Sequence, residues 1–341
     1  MSKRIIIWLG SLVAAIAVIC LVVFGLKNVS GSSSSSSGVS KTTVRVGLMT
    51  GSDGQYLAAI AKKEGYFSKY GIKIKTSTFS TGIETVNAIT TGQLDVGYAA
   101  DFAALNRFGT SSKSNLKIFA KLATSKGSGT KLYVAKGIKS LSDLKGKTII
   151  TDKGTVTEYW VSKLLKKAGL KSSQVNLVSV ETGQEDLALM KSGKASAVWA
   201  SGQDAEKLEK TGKFTVLTTE DKISSPTIGF AVSNKSFLKG HSKAAQAYLK
   251  AMNAAAKLVN AHPEKASAIV SEALNVPKKT VLATFESSDI SVSFNKSAYK
   301  DLKNIYDYLD TSGSLKHKYN LKDYIDTSAL KKAISGSVSD Y

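Results

Sequence analysis

Thr81-Gly82-Ile83-Glu84, running through Val86, Ala88 and Ile89 to Gly92 and ending in Val96-Gly97-Tyr98, is written a second time in this chain. The second copy is Thr182-Gly183-Gln184-Glu185, through Leu187, Leu189 and Met190 to Gly193 and on to Ala197-Val198-Trp199. From Thr81 to Thr182 and from Tyr98 to Trp199 the offset is the same, and Thr, Gly, Glu, the closing Gly and an aromatic coincide without a gap. Repeats of roughly 20–50 residues build solenoids. A much longer period predicts two lobes on one plan, with a cleft between them where a small ligand binds.

An apolar run precedes each copy, Ile72 to Phe79 and Val175 to Val180, so each copy reads as strand, loop, helix, loop, strand. Val/Ile-rich runs alternating with helical periodicity argue for βαβ units and mostly parallel sheets, an α/β fold. In such sheets the loops beyond the strand C-termini face the ligand. Those loops hold Ser80, Thr81 and Gly82, then Tyr98 to Asp101, in one lobe; in the other they hold Glu181 to Gly183 and Trp199 to Ser201. A Thr-Gly opening a helix presents N–H groups to an anion. It also serves as a plain N-cap, with the Glu three residues on completing a capping box. Tyr98 and Trp199 share one register and are expected to face each other across the cleft.

Elsewhere Thr43 to Leu48 reads as a strand and Gln55 to Glu64 as a helix, followed by strands at Leu116 to Leu122 and Leu132 to Ala135. Lys153-Gly154-Thr155 opens an amphipathic helix to Ala168, in which Trp160 falls at core spacing with Val156 and Leu164. Strands follow at Phe214 to Leu217 and Thr227 to Ser233, and helices at His241 to Asn260, Pro263 to Leu274 and Ser297 to Tyr308. Gly127-Ser128-Gly129 reads as a mobile loop.

The N-terminus decides the compartment. Lys3-Arg4 precede Ile5 to Leu26, a charge-free stretch long enough to span a bilayer. The basic flank stays cytoplasmic and the remainder lies outside. Residues 1–26 are therefore read as a signal or membrane anchor, favoured as uncleaved. Residues 27–42, with serines from Ser32 to Ser37, are read as a flexible tether. Cys20 is the only cysteine, so an intrachain disulfide is excluded, and a lipid anchor on it or ordinary signal cleavage are the alternatives. The globule beyond is expected to be a soluble monomer on the extracytoplasmic face of the cell membrane.

The chain of 341 residues carries 47 Lys and Arg against 26 Asp and Glu, a formal net charge of +21. Arg4, Arg45 and Arg107 are the only arginines, and lysines are scattered over every segment. Nucleic-acid readers lean on arginine and interleaved aromatics; here the charge suits solubility near a polyanionic envelope. His241, His262 and His317 stand far apart in lysine-rich segments. Neither a metal cluster, a nucleophile elbow nor a phosphate loop is visible, so no metal, cofactor or catalytic residue is expected.

Ala61-Lys62-Lys63-Glu64-Gly65-Tyr66-Phe67, Tyr70-Gly71-Ile72 and Thr91-Gly92-Gln93-Leu94-Asp95-Val96-Gly97 carry a family likeness, joined by Leu141 to Lys147, Ala197-Val198-Trp199 and Asn304 to Leu309. In order and spacing, residues 43–333 resemble the periplasmic solute-binding proteins for nitrate, sulfonate, taurine and thiamine-precursor pyrimidines. The resemblance implies a two-lobed periplasmic-binding-protein type II fold that feeds the permease and ATPase of an ABC importer. It also implies two crossings between lobes, giving lobe I as 43–131 plus 228–341 and lobe II as 132–227. The hinge would lie near Lys131-Leu132-Tyr133 and Thr227-Ile228-Gly229. The family's acidic–proline step after the second-lobe aromatic is replaced by Ala200-Ser201-Gly202.

The expected ligand set is Asp53, Gln55, Tyr56, Ser80, Thr81, Gly82, Tyr98, Asp101, Thr155, Glu158, Thr182 and Trp199, with Asp204 a further acid and Lys153 the only obvious cation. Without an arginine clamp, a bare divalent anion is disfavoured. Carboxylates beside helix N-termini suit a taurine-like zwitterion, ammonium to carboxylate and sulfonate to N–H; carboxylates beside aromatics suit a pyrimidine. The solute is therefore expected to carry an amine or a ring-nitrogen donor, whether in a taurine-like or aliphatic-sulfonate-like compound or in a pyrimidine. Three classes stay open. A transport binding protein would hold one solute without turnover, a pyrimidine-making enzyme would consume a substrate, and a wall-adhering protein would bind anionic polymers.

Overall fold

In the computed structural model, the structure describes residues 42–341 apart from 111–113, 128, 153–154, 181–182 and 224–225. The expected anchor (1–26), the expected tether up to residue 41, Lys153 and Thr182 thus lie outside the described residues, and Thr42, at the end of the expected tether, already belongs to the first strand.

The first half of the chain builds β1 (Thr42–Met49), α1 (Asp53–Lys63), α2 (Tyr66–Lys69), β2 (Ile72–Phe79), α3 (Gly82–Thr90), β3 (Val96–Ala100), α4 (Asp101–Phe108) and β4 (Leu116–Ser125). The middle builds β5 (Lys131–Ala135), β6 (Thr148–Thr151), α5 (Val156–Ala168), β7 (Asn176–Ser179), α6 (Gly183–Lys191), β8 (Ala197–Ala200), α7 (Gly202–Glu209) and β9 (Phe214–Thr219). The remainder builds β10 (Ile228–Asn234), α8 (Lys235–Gly240), α9 (Ser242–Ala261), α10 (Pro263–Leu274), α11 (Lys278–Glu286), β11 (Ser288–Ser293), α12 (Lys296–Thr311) and α13 (Ser328–Ala333).

Two sheets result, ordered β11-β4-β10-β3-β1-β2 and β7-β6-β8-β5-β9. Reversed, the second order lays β9-β5-β8-β6-β7 over β4-β10-β3-β1-β2. The repeat is therefore visible in three dimensions: β2-α3-β3-α4 and β7-α6-β8-α7 take matching places. The sheets are mixed. Pairing is parallel within the βα units (β1 with β2 and β3, β6 with β7 and β8) and antiparallel where the crossing strands β5 and β10 join. A chain that leaves one sheet at its ligand end must enter the next sheet running the other way. The mostly parallel pattern expected from the repeat thus holds only in the βα units.

The chain changes sheets twice, between Ser125 and Lys131 and between Thr219 and Ile228. Lys131 already pairs with Ala200, and Ile228 with Thr124, so both crossings lie just upstream of those positions. The first crossing contains Gly127 at φ +77, where a Cβ would collide with the Asp221 backbone of the second. A side chain is barred there on both counts, and the two crossings pack together. The stretch read as a mobile loop is, at Gly127 and Gly129, a packed part of this junction.

The core explains the glycines and alanines. β3 is Val-Gly-Tyr-Ala-Ala, buried on both faces, and a Cβ on Gly97 would meet Thr85 and Ile89 of α3. In α9, Ala245, Leu249, Met252 and Ala256 form a buried stripe at helical spacing. Pro263 opens α10 and Asn275, at φ 53, closes it in the left-handed conformation. The β11 strand was not expected, and α11 was marked only by Pro277, which stands at its N-cap. Lys278–Glu286 carries only Thr280, Val281 and Phe285 on its buried face, too sparse a stripe to announce a helix. No helix among the described residues is long and apolar enough to cross a membrane.

Candidate functional site

The C-terminal ends of β1, β2 and β3 and those of β6, β7 and β8 open onto one cleft of about 2120 Å³. It is lined from one side by Ser52, Asp53, Gln55, Tyr56, Ser80, Thr81 and Tyr98, and from the other by Asp152, Thr155, Trp160, Gln184, Ser201 and Asp204. Thr130, Glu220 and Thr227 of the crossings and Thr280, Thr284 and Ser288 of the C-terminal part complete it. A side pocket of about 340 Å³ continues under the second sheet, where Asp152, Trp160, Asp186, Trp199 and Asp204 are joined by Thr81 and Gly82 from the first.

Local sequence chemistry places each group. Ser52 caps α1 by accepting from the Gln55 N–H at 3.2 Å. This leaves Asp53 in the first turn, where a carboxylate complements the helix dipole. Burial pushes the Asp53 carboxyl up to about 6, opposed by a hydrogen bond from Ser288, and its Oδ1 has no partner among the described residues. Gln55 lines the cleft but its Oε1 accepts from Gly51 N–H at 2.8 Å, holding the β1–α1 loop. Tyr56 lines the cleft edge-on to Phe285.

At α3 the plain cap accounts for the Thr-Gly. Thr81 Oγ1 accepts from Glu84 N–H at 3.3 Å, and Glu84 Oε2 accepts from the Ser80 and Thr81 N–H groups at 2.9 and 3.1 Å. The N–H groups of Ser80 and Thr81 are thereby taken. Thr155 plays the matching part at α5: its Oγ1 donates to the Asp152 carbonyl at 2.7 Å and stands 2.6 Å from Thr157 Oγ1.

Tyr98 and Trp199 do converge on the cleft region, but differently. Tyr98 is sandwiched between Gly54 and Gly229, where a Cβ at either glycine would run into its ring. Trp199 lines the side pocket, its ring centroid 5.5 Å from that of Trp160. The indole nitrogens of both tryptophans are buried without an acceptor among the described residues.

Two expected residues do not line the cleft. Asp101 is wholly buried at the head of α4, its carboxylate accepting from Phe102 N–H at 2.7 Å and Ile228 N–H at 2.8 Å. It ties α4 to the return crossing. Burial pushes it up to about 7 against those two bonds. Glu158 is on α5, outside both lined spaces.

Three groups were missed or misread. Trp160 has core spacing and is indeed buried, yet its place in the first turns of α5 brings that buried face to the cleft. Asp152 follows β6 as Thr50 follows β1, a position that the strand-end rule would have flagged. Asp186 is a first-turn helix acid that also lines the side pocket. Burial raises it to about 7, with Asp152, Asp204 and Glu185 adding to the shift. Arg45 pairs with Asp95 at 2.6 Å, away from the cleft. Lys153, expected as the only obvious cation, lies outside the described residues, and the cleft is lined by Lys131, Lys207, Lys210 and Lys279; Lys207 pairs with Asp204 at 2.7 Å and Lys131 with Glu209 at 3.2 Å.

Two lobes, two crossings and a cleft at converging strand ends have counterparts among known proteins. Residues 56–266 match the NMT1/THI5-like family. The chain belongs to that family. Among curated relatives, the taurine-binding periplasmic protein of Escherichia coli (strain K12) is 28% identical over 212 residues, 61% of this chain and 64% of that one. A protein of Brucella abortus (strain 2308) named as a binding protein is 32% identical over 138 residues, 40% of this chain, so the match spans only 41% of that relative's length. In fold, the family member resembles the alkanesulfonate-binding protein SsuA from Xanthomonas axonopodis pv. citri bound to MOPS. The TM-score is 0.72 at 17% identity, over 84% of this chain and 98% of that one. The desulfurization enzyme DszB shares the fold at a TM-score of 0.65 and 13% identity, over 86% of this chain and 98% of that one.

Proposed function

We propose that this protein is the extracytoplasmic solute-binding component of an ABC importer, capturing a small taurine- or aliphatic-sulfonate-like solute between its lobes and passing it to a permease. One observation carries the reading: the strand ends of both repeat copies converge on a single cleft whose lining mixes capped helix N-termini, carboxylates and aromatics. Membership of a family with periplasmic binding proteins among its relatives supports it. Lobe I is 43–131 with 228–341, lobe II is 132–227, and they turn about the packed crossings. The N-terminal 26 residues hold the monomeric globule at the membrane surface.

The binding-protein relatives support binding over turnover. The lining's titratable groups are carboxylates, lysines and tyrosines, and the histidines lie elsewhere among the described residues. A pyrimidine thiamine precursor is the second reading, favoured by the two indoles beside the Asp152 and Asp186 carboxylates. The test is calorimetric titration of the full-length protein with taurine, ethanesulfonate, an aminopyrimidine and nitrate, with mass spectrometry of solute released on denaturation. One tightly bound, unaltered solute is expected. Turnover of a bound compound, or salt-dependent binding to anionic polymer with an empty cleft, would overturn the reading.

A further inference from the structure

The side pocket has a charge problem. Asp152, Asp186 and Asp204 all line it, and its described lining contains no lysine, arginine or histidine. Lys207 answers Asp204 from outside. Asp152 is engaged with neutral partners: its backbone N–H donates to Thr157 Oγ1 at 3.0 Å, and Thr157 Oγ1 approaches its Oδ2 at 3.4 Å. Asp186 Oδ1 is buried with no partner at all among the described residues. Buried carboxylates are ordinarily paired, so the pocket is short of positive charge.

A second observation is independent of the acids. Trp160 and Trp199, 6% and 5% exposed, wall the same space, and each leaves its Nε1–H without an acceptor among the described residues. Buried indole N–H groups usually find a partner. Unmet donors and an unmet acceptor on the residues that wall one pocket favour an occupant carrying the complementary pair. Indole faces also attract a cation electrostatically. At about 340 Å³ the space equals roughly ten waters' share of liquid, enough for a short organic molecule's head.

We propose that this side pocket seats the positively charged nitrogen of a small organic ammonium solute, held by Asp186 with Asp152 beside it and walled by Trp160 and Trp199. Resting on the solute-binding reading, this adds to it that the solute enters lobe II amine first and that the ammonium, not an anionic group, sets selectivity.

The test titrates full-length protein with taurine, ethanolamine, choline and ethanesulfonate, by calorimetry and by tryptophan fluorescence. Two of the chain's three tryptophans line the pocket, so occupancy changes the emission. At least one ammonium probe is expected to bind at least tenfold more tightly than ethanesulfonate. Asp186→Asn should weaken it at least tenfold without lowering the melting transition, and Trp199→Phe should blunt the fluorescence response. Lys153→Ala should change little; a tenfold gain in ammonium affinity there would make Lys153 the partner of these carboxylates and overturn the proposal. Ethanesulfonate binding as well as taurine, with Asp186→Asn indifferent, overturns the subsite but leaves solute binding standing. Absence of binding by every ammonium probe also overturns it; if no sulfonate or pyrimidine binds either, the broader reading fails with it.

Discussion

The two copies of the repeat share bounds residue for residue, α3 with α6 and α4 with α7, yet put the same register to opposite uses. In the first copy the aromatic is Tyr98, sealed between Gly54 and Gly229. Counting from the helix caps and the strand pairings, the second copy has Thr157 where the first has Gly54 and Thr130 where it has Gly229. With side chains there instead of hydrogens, Trp199 keeps a cavity beside it, and both threonines line that cavity. One copy spent its aromatic on packing, the other kept it for the pocket. The helices that follow differ likewise: Asp101 latches the return crossing, while its counterpart Gly202, at φ +53, lies close to Thr280 of α11.

The largest expected effect tests the sealed ring. Gly229→Val forces a branched side chain into Tyr98 and should cost about 3 kcal/mol or more. Thr130→Val in the other copy should cost about 1 kcal/mol, mostly a lost hydrogen bond to Glu220. Urea unfolding measures both, and equal costs would erase the distinction. Next, Asp101→Gly makes the first copy read like the second. It strands the Phe102 and Ile228 N–H groups and should cost about 1–3 kcal/mol; a neutral result would mean that the latch is idle. Thr81→Ala removes one half of the capping box, for about 1 kcal/mol, visible in the same unfolding curves.

The smallest effect is a pH dependence. Asp186 is raised to about 7 in the folded state, against roughly 4 in the unfolded chain. Between those values the folded protein holds more protons than the unfolded one, so this group's contribution falls as pH rises through the window. Asp186→Asn should therefore flatten the stability profile between about pH 4 and 7 and raise the melting temperature at pH 8 by on the order of 2 °C. A variant profile parallel to the parent's would mean that Asp186 titrates normally.

Legibility followed the physics of each signal. The repeat was readable because helix caps, strand ends and closing glycines are local, and they fixed α3, α6, β3, β8 and the cleft's two walls. The sheet order and the mixed pairing were not, since β5 and β10 take their places by crossing between lobes, which no local pattern records. Strand-end reasoning found Asp53, Ser80, Thr81, Tyr98, Thr155 and Trp199 at or beside the cleft. It misplaced Asp101, because a carboxylate after a strand looks the same whether it faces ligand or a distant backbone N–H. Periodicity separated buried from exposed faces on α5 but could not say that the buried face at Trp160 borders a cavity.

The sandwich of Tyr98 between two glycines has a genetic consequence. The positions lie 44 and 131 residues apart in the chain, but a methyl group at either glycine is unacceptable while the ring is present. Shrink the ring first, with Tyr98→Ala, and Gly54→Ala or Gly229→Ala changes from harmful to beneficial, because it fills the hole. The order in which such changes occur then matters: one route passes through a viable intermediate and the reverse does not. A lineage could drift at these three sites only along that path, whereas no such ring clash ties together the corresponding positions Thr157, Thr130 and Trp199, where both threonines already carry side chains.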